Sequence, residues 1–150
     1  MSDSPRLTSP GVSRALCSLP LLRSVALARC KLLGDGVLEA LGASCLMLSS
    51  AKLDELAVTD SGVAAMAAGC GGLEVLSLRG CRRVGDRAVL ALCEHVDALL
   101  EIDLVSTACS RVAAASLAGA FLHSIRDIYT SERVVTGGSK EILRLVAAGR

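Results

Sequence analysis

The chain has 150 residues, a formal net charge of +1 and 52% hydrophobic residues, yet it contains one Phe, one Tyr and no Trp. This length suffices for a single domain whose core must consist of aliphatic, alanine and cysteine side chains. The near-neutral charge argues against a nucleic-acid-binding surface, and no uncharged apolar run reaches the roughly 18 residues of a membrane helix, which argues against membrane insertion.

The N-terminal region lacks the apolar core of a signal peptide. Residues 1–8 are predicted to be a flexible leader, and residues 9–18 to be the helical half of an incomplete first unit, because Ser9 lies 26 residues before Asp35. Residues 1–31 contain Asp3 as their single acidic residue among several Arg and Ser, a composition that mitochondrial transit peptides share. The stretch 19–31 also fits the repeat described next, so we expect a cytoplasmic protein, with mitochondrial and flagellar or cytoskeletal locations as alternatives.

From Leu22 onward the chain repeats one pattern every 25–26 residues. The clearest copy reads Leu73-Glu-Val-Leu-Ser-Leu-Arg-Gly-Cys81, followed by Val84-Gly-Asp86 and then by Val89 and Leu92. Apolar residues at alternate positions predict a short strand, and the spacing of three after the Asp predicts a helix. Self-similarity at such a period is typical of a solenoid, in which stacked units close a core that no single unit could bury. About five such repeats are predicted to form one domain.

Each predicted helix begins near an aspartate. Asp35, Asp60 and Asp86 are spaced 25 and 26 residues apart, where the N-cap of a helix belongs. We therefore expect each carboxylate to accept backbone N–H groups of its own helix. Gly69 and the pair Gly71–Gly72 are predicted to end the third helix and to turn the chain back.

The segment Leu73–Asp86 resembles the cysteine-containing leucine-rich repeat of F-box proteins and their relatives, and the resemblance extends over residues 9–130. It implies an α/β solenoid shaped as a short curved horseshoe, with parallel strands on the concave face and helices on the convex face. This chain departs from the pattern at Leu56 and Thr107, which take the Cys position, and at Arg111, which takes the Asp position. Residues 131–150 are predicted to form an irregular last repeat with a C-terminal cap helix.

The resemblance implies a protein-interaction module, an adaptor or the substrate-recognition segment of a ubiquitin ligase. The alternative is a scaffold subunit docked in an axonemal, mitochondrial or ribosome-associated assembly. Only eight residues precede Ser9, which leaves no room for an F-box there. We therefore expect either a fragment of a longer protein or a short solenoid that stands alone.

No residue pattern predicts an enzyme, a cofactor or a metal site. The seven cysteines are an odd number without a Cys-x-x-Cys pair, which favours reduced thiols, and Cys30 and Cys81 take equivalent turns where a small side chain packs. Cys93 and His95 are two residues apart and would face different sides of a helix. The run 137–140, Gly-Gly-Ser-Lys, departs from the phosphate-binding loop, and a turn with Ser139 capping the last helix fits it better.

Alternate strand positions are predicted to point outward on the concave face and to bind a protein partner, either a peptide, a helix or a subunit of a larger complex. The residues of this predicted site are Lys52, Asp54, Val75, Ser77, Arg79, Glu101, Asp103, Asp127 and Tyr129. The charge of the whole face runs from neutral in the first unit, through Lys52 and Arg79, to acidic at Glu101, Asp103 and Asp127, which suits a charged partner. A competing surface is the basic rim, defined as Arg82, Arg83 and Arg87.

Overall fold

The computed structural model of the protein describes residues 7–131 and 134–136, in which short strands alternate with helices of nine or ten residues. The helices are α1 Ser9–Cys17, α2 Asp35–Ser44, α3 Asp60–Gly69, α4 Asp86–His95 and α5 Arg111–Ala120. The strands are β1 Ser24–Ala28, β2 Ser50–Asp54, β3 Val75–Ser77, β4 Glu101–Leu104, β5 Asp127–Thr130 and β6 Val134–Thr136.

All six strands form one sheet in the order β1-β2-β3-β4-β5-β6. The first five strands are parallel, and β6 pairs with β5 in the antiparallel direction. Every parallel pair joins equivalent residues of neighbouring repeats, as Val75 pairs with Glu101 and Glu101 with Asp127. The alternation of strands and helices therefore builds the predicted α/β leucine-rich-repeat solenoid, whose period sets the register of the sheet.

The core lies between the sheet and the helices. Strands β2 to β5 each bury their second residue, as Leu76, Ile102 and Ile128 do with 1% exposure or less, whereas Val25 of β1 is partly buried. Each helix contributes an apolar stripe, such as Val37, Leu38 and Leu41 in α2, because residues three and four apart share one face of a helix. The aliphatic composition of the chain suits these thin, repeated layers.

Helices α2 and α3 pack with their backbones in contact. A Cβ atom at Gly69 would overlap the carbonyl oxygen of Gly42 and lie 2.5 Å from its carbonyl carbon. A Cβ atom at Gly42 would in turn overlap the carbonyl oxygen of Ala65. Glycine at both positions is therefore required by the closeness of the two helices.

A residue in the left-handed backbone region follows each of the first four strands. These residues are Arg29 (φ 56°), Glu55 (φ 54°), Gly80 (φ 75°) and Ser106 (φ 59°). Their spacing equals that of the repeat, so the turn recurs even where its residue has a side chain. Since a non-glycine residue is uncommon in this region, three of the four turns carried no signal in the sequence.

The aspartates do not cap their own helices, and the expectation from the sequence is wrong on this point. Asp35, Asp60 and Asp86 are the first helical residues, one place after the N-cap, and none of the three N-caps makes a side-chain cap hydrogen bond. A capping acceptor has to stand one residue earlier. The carboxylates are therefore free to reach the neighbouring repeat.

Each of these carboxylates accepts hydrogen bonds from the start of the next helix, and we call the three the aspartate ladder. Asp35 accepts from the backbone N (2.7 Å) and the Oγ1 (2.5 Å) of Thr59, and Asp60 accepts from the N of Gly85 (2.6 Å). Asp86 accepts from the N and the Oγ of Ser110, both at 2.7 Å. The aspartates thus join one repeat to the next.

A serine continues the ladder at its first end, and the ladder stops at its last end. The Oγ of Ser9 accepts from the N of Gly34 at 3.0 Å, which confirms that residues 9–17 are the helical half of an earlier unit. At the far end Arg111 takes the aspartate position, and α5 is capped by Ser110, whose Oγ accepts from the N of Ala113 at 3.2 Å.

The two ends of the chain differ from their predictions or lie partly outside the described residues. Residues 1–6 of the predicted leader lie outside the described residues, while Leu7 packs against the core and Thr8 is the N-cap of α1. The predicted cap helix and the Ser139 cap also lie outside the described residues. Strand β6 was not predicted. In the described part of the chain, no helix is long and apolar enough to cross a membrane.

Candidate protein-interaction surface

The side chains that face away from the helices form three rows across the parallel strands, and we call them the concave face. The middle row places Lys52 beside Ser77, Ser77 beside Asp103, and Asp103 beside Tyr129. Another row places Glu101 between Val75 and Asp127. The residues of the predicted site are all partly or largely exposed, and they occupy adjacent positions on one surface.

Two pairs of charged or polar residues are tied together on this face. Arg79 forms an ion pair with Asp103, with its Nη2 atom 2.8 Å and its Nε atom 3.0 Å from Oδ2 of that carboxylate. Asp103 also accepts the backbone N–H of Val105 at 2.9 Å, and its side chain is 14% exposed against 55% for Arg79. The Oγ of Ser77 donates to Asp54. The Arg79 side chain is therefore held by the carboxylate of Asp103 and is not a separate basic group on this face.

The acidic end of the concave face keeps a net negative charge. Within residues 7–131, no cation lies at ion-pair distance from Glu101 or Asp127. The pKa of Tyr129 is raised first by burial and then by the charges of Asp127, Glu101 and Asp103. The phenol therefore lies near three carboxylates, of which Asp103 is paired with Arg79.

The basic rim is exposed at each of its three residues. Arg83 and Arg87 line a shallow cleft of about 460 Å³ that Thr59, Asp60 and Ser61 also line at the start of α3. Asp60 brings a carboxylate to the same cleft, so the charge of its lining is mixed.

Five of the seven cysteines donate hydrogen bonds to backbone carbonyls: Cys30, Cys45, Cys70, Cys81 and Cys109. Cys70 donates to Leu41 (3.5 Å) and Cys45 (3.4 Å), and Cys81 donates to Leu53 at 3.0 Å. All seven thiols are free, and the described residues contain no group of three His, Cys, Asp or Glu able to hold a metal ion. Cys93 and His95 are on α4, partly buried and exposed respectively.

The buried thiols should resist modification until the protein unfolds. Burial raises the pKa of Cys70 and of Cys81 to about 11, so neither is a thiolate at pH 8, whereas Cys17 is exposed. In a titration with a disulfide reagent at pH 8, Cys17 should react first and Cys70 and Cys81 only in denaturant. Rapid reaction of all seven thiols in the native protein would contradict this packing.

The same pKa values predict how stability depends on pH. A thiol whose pKa is higher in the folded protein stabilises the fold below its ordinary value of 9.0, and this contribution is lost as the pH rises to about 11. The free energy of unfolding should therefore decrease between pH 9 and pH 11. A control variant should remove one of these thiols without changing the polarity of the core. Cys81→Ala does this, whereas Cys81→Ser would add a polar group to the core.

No protein-family model matches the chain. A solved structure is similar to it: a chain in the crystal structure of the Rad7 and Elc1 complex in yeast, with a TM-score of 0.68 and 22% sequence identity. The similarity covers 83% of this chain and 32% of that chain, so this protein spans about a third of the length of its structural neighbour. At this identity the similarity shows that the fold is shared, and function has to be argued from the surface.

Proposed function

We propose that the protein is a non-enzymatic interaction module that binds a protein partner on the concave face over β3 to β5. The observation that carries the proposal is the contrast along that face. Strand β1 presents Ser24, Ala26 and Ala28, whereas β4 and β5 present carboxylates and Tyr129 that are not buried in the core. Aromatic and charged side chains in such positions are typical interface anchors.

The charges of the concave face indicate the chemistry of the partner. Glu101 and Asp127 are adjacent carboxylates without an ion-pair partner in the described residues, so a basic residue of the partner would find its complement there. Five parallel strands spaced about 4.8 Å apart give a surface ~19 Å long. Since an α-helix rises 1.5 Å per residue, this surface accommodates about three turns of one basic helix or a loop of similar size.

We infer that the module acts as an adaptor or substrate-recognition segment like the repeat region of F-box proteins. The support is the cysteine-containing repeat of the sequence, together with a structural neighbour that comes from a protein complex. A reducing compartment, which we propose to be the cytoplasm, fits seven free thiols, since disulfides are rare there.

Affinity purification from the native cell followed by mass spectrometry tests this proposal. The wild type should recover a small, stoichiometric partner set that includes ubiquitin-ligase components, and Glu101→Lys combined with Asp127→Lys should lose it. The matched control reverses the rim charges with Arg82→Glu and Arg87→Glu and should retain the partners. Co-sedimentation of both variants with a large particle would contradict the proposal and favour a structural subunit.

A further inference from the structure

A cluster of exposed apolar side chains lies at the edge of the first two repeats, in the loops that lead from a helix to the next strand. Leu19 is 48% exposed and Leu21 79%, both between α1 and β1. Leu46 is 60% and Met47 49% exposed, both between α2 and β2. We call these four residues the apolar edge.

The apolar edge is confined to one end of the solenoid. Leu46 and Met47 stand four and three residues before their strand, and the same places before β3 are taken by Gly71 and Gly72. Before β4 they are taken by Asp97 and Ala98. The fold therefore does not need large apolar residues in these loops, and the first two repeats expose them to solvent.

The apolar edge is also separate from the concave face. Its residues precede β1 and β2, whereas the acidic end of the concave face lies on β4 and β5, towards the other end of the strand order. Large exposed apolar patches commonly mark binding sites on proteins. This surface is thus available to a second partner while the concave face is occupied.

We propose that the apolar edge binds a single amphipathic helix of a partner protein. The four side chains of the apolar edge are between 48% and 79% exposed, and an exposed apolar patch on a protein surface is often functional. A stable interface between two copies of a protein needs about 800 Å² from each partner. Such an interface takes about 20–30 residues from each side, so the four residues of the apolar edge are too few for a dimer but enough to contact one face of a helix.

The dimensions and the charge of the patch specify this helix further. Adjacent strands lie about 4.8 Å apart, so the two loops together are about as wide as one α-helix, whose diameter is about 10 Å. The helix should therefore present Leu-like residues at positions i, i+3 or i+4, and i+7. Arg23 is the one charged residue in the loops 18–23 and 45–49, and an acidic residue flanking the apolar stripe would complement it.

A labelled synthetic peptide tests the proposal by fluorescence anisotropy. The probe is a 16-residue helix with a stripe of leucines and glutamates elsewhere, and the control peptide has the same composition with its leucines spread around the helix. The wild type should bind the striped peptide and not the control peptide. Leu21→Glu combined with Leu46→Glu should weaken binding about ten-fold or more, as the loss of two anchors does.

Matched variants separate the patch from general stickiness. Leu90→Glu with Val112→Glu removes apolar side chains that are 60% and 66% exposed elsewhere and should change the affinity less than two-fold. Glu101→Lys with Asp127→Lys should also leave peptide binding intact, which keeps this test independent of the concave face. Thermal melts of every variant should match the wild type, because each substituted residue is at least partly exposed.

Three outcomes would overturn the proposal. The striped peptide could fail to bind the wild type, the control peptide could bind equally well, or the Leu90 and Val112 pair could weaken binding as much as the patch variants. In sedimentation velocity, a dimer of the wild type that Leu21→Glu with Leu46→Glu abolishes would assign the patch to a second copy of the chain instead.

Discussion

Gly69→Ala is expected to destabilise the protein by about 3 kcal/mol, at the upper end of the usual cost of overpacking. The added methyl group would overlap the backbone of Gly42, and a backbone atom cannot rotate away as a side chain can. Helices α2 and α3 would have to separate, which would open the core around Met66 and Leu41, both fully buried. We expect the melting temperature to fall by roughly 10 °C.

Gly119→Ala is the matched control, because it is the same substitution in another ten-residue helix. No atom lies within 4 Å of a Cβ atom built at Gly119, so the methyl group would meet open space. Replacement of a helical glycine by alanine should then stabilise the protein by about 0.5–1 kcal/mol. Equal melting temperatures for the two variants would show that the α2–α3 contact is looser than described.

Asp35→Ala is expected to cost about 2 kcal/mol because it removes both hydrogen bonds from the backbone and hydroxyl of Thr59 to a charged acceptor. Gly62→Ala should also destabilise, since its methyl group would overlap Oδ1 of Asp35 and lie 2.8 Å from Cγ. The two substitutions should be coupled. In the Asp35→Ala background Oδ1 and Cγ are gone and only the Cβ atom of residue 35 stays close, at 3.0 Å from the added methyl group, so Gly62→Ala should cost much less than in the wild type.

A double-mutant cycle with chemical denaturation measures this coupling. We expect an interaction energy of at least about 1 kcal/mol, because residues in direct contact are not additive. Additive costs would show that Asp35 does not reach the start of α3. Under the original N-cap expectation Asp35 would point to its own helix, and Gly62→Ala would be independent of it, so the cycle also separates the two assignments.

Much of the fold could be predicted from the spacing of the apolar residues. The Leu-x-x-Leu-x-Leu runs placed the five parallel strands, and the spacing of Asp86, Val89 and Leu92 placed the helices. A period of 25–26 residues also fixed which positions become neighbours in the sheet. This succeeded because each strand and helix buries one face, and the period of that face is visible in the sequence.

Interactions between repeats were harder to predict. An aspartate at the start of a helix is compatible with a cap of its own helix and with a bond to the next repeat, and the spacing alone does not distinguish them. The contact of Gly69 with Gly42 joins two helices whose closeness has no signature in a single repeat. The left-handed turns at Arg29, Glu55 and Ser106 lacked the glycine that would have indicated them.

The candidate site could be predicted as positions but not as interactions. The alternation of the strands identified Arg79, Asp103 and Tyr129 as outward-facing residues, and the register placed Asp103 next to Tyr129. The ion pair between Arg79 and Asp103 depends on side-chain conformation across two strands, which a periodic pattern does not contain. That binding occurs at these residues stays a prediction, as does the absence of an enzymatic activity.

Because Arg79 is paired with Asp103, substitution by alanine is a better test of Arg79 than a reversal of its charge. Arg79→Glu would place a carboxylate beside Asp103 and introduce repulsion within the protein itself, whereas Arg79→Ala removes the contact without adding a like charge. Tyr129→Ala removes the one tyrosine of the chain from the concave face. The two alanine variants should keep the wild-type melting temperature, since neither side chain is part of the buried core.

The most direct measurement is a titration of a purified partner against concave-face and rim variants at low and high salt. Tyr129→Ala and the double variant Glu101→Lys with Asp127→Lys should each weaken binding about five-fold or more, as the loss of anchors does. Arg79→Ala should not weaken it, because it removes a cation from a face that binds a basic partner. Arg82→Glu, Arg83→Glu and Arg87→Glu together should change it little at either salt concentration. Loss of binding with the rim reversals, with no effect of Tyr129→Ala or of the Glu101 and Asp127 reversals at either salt concentration, would contradict the proposed binding surface.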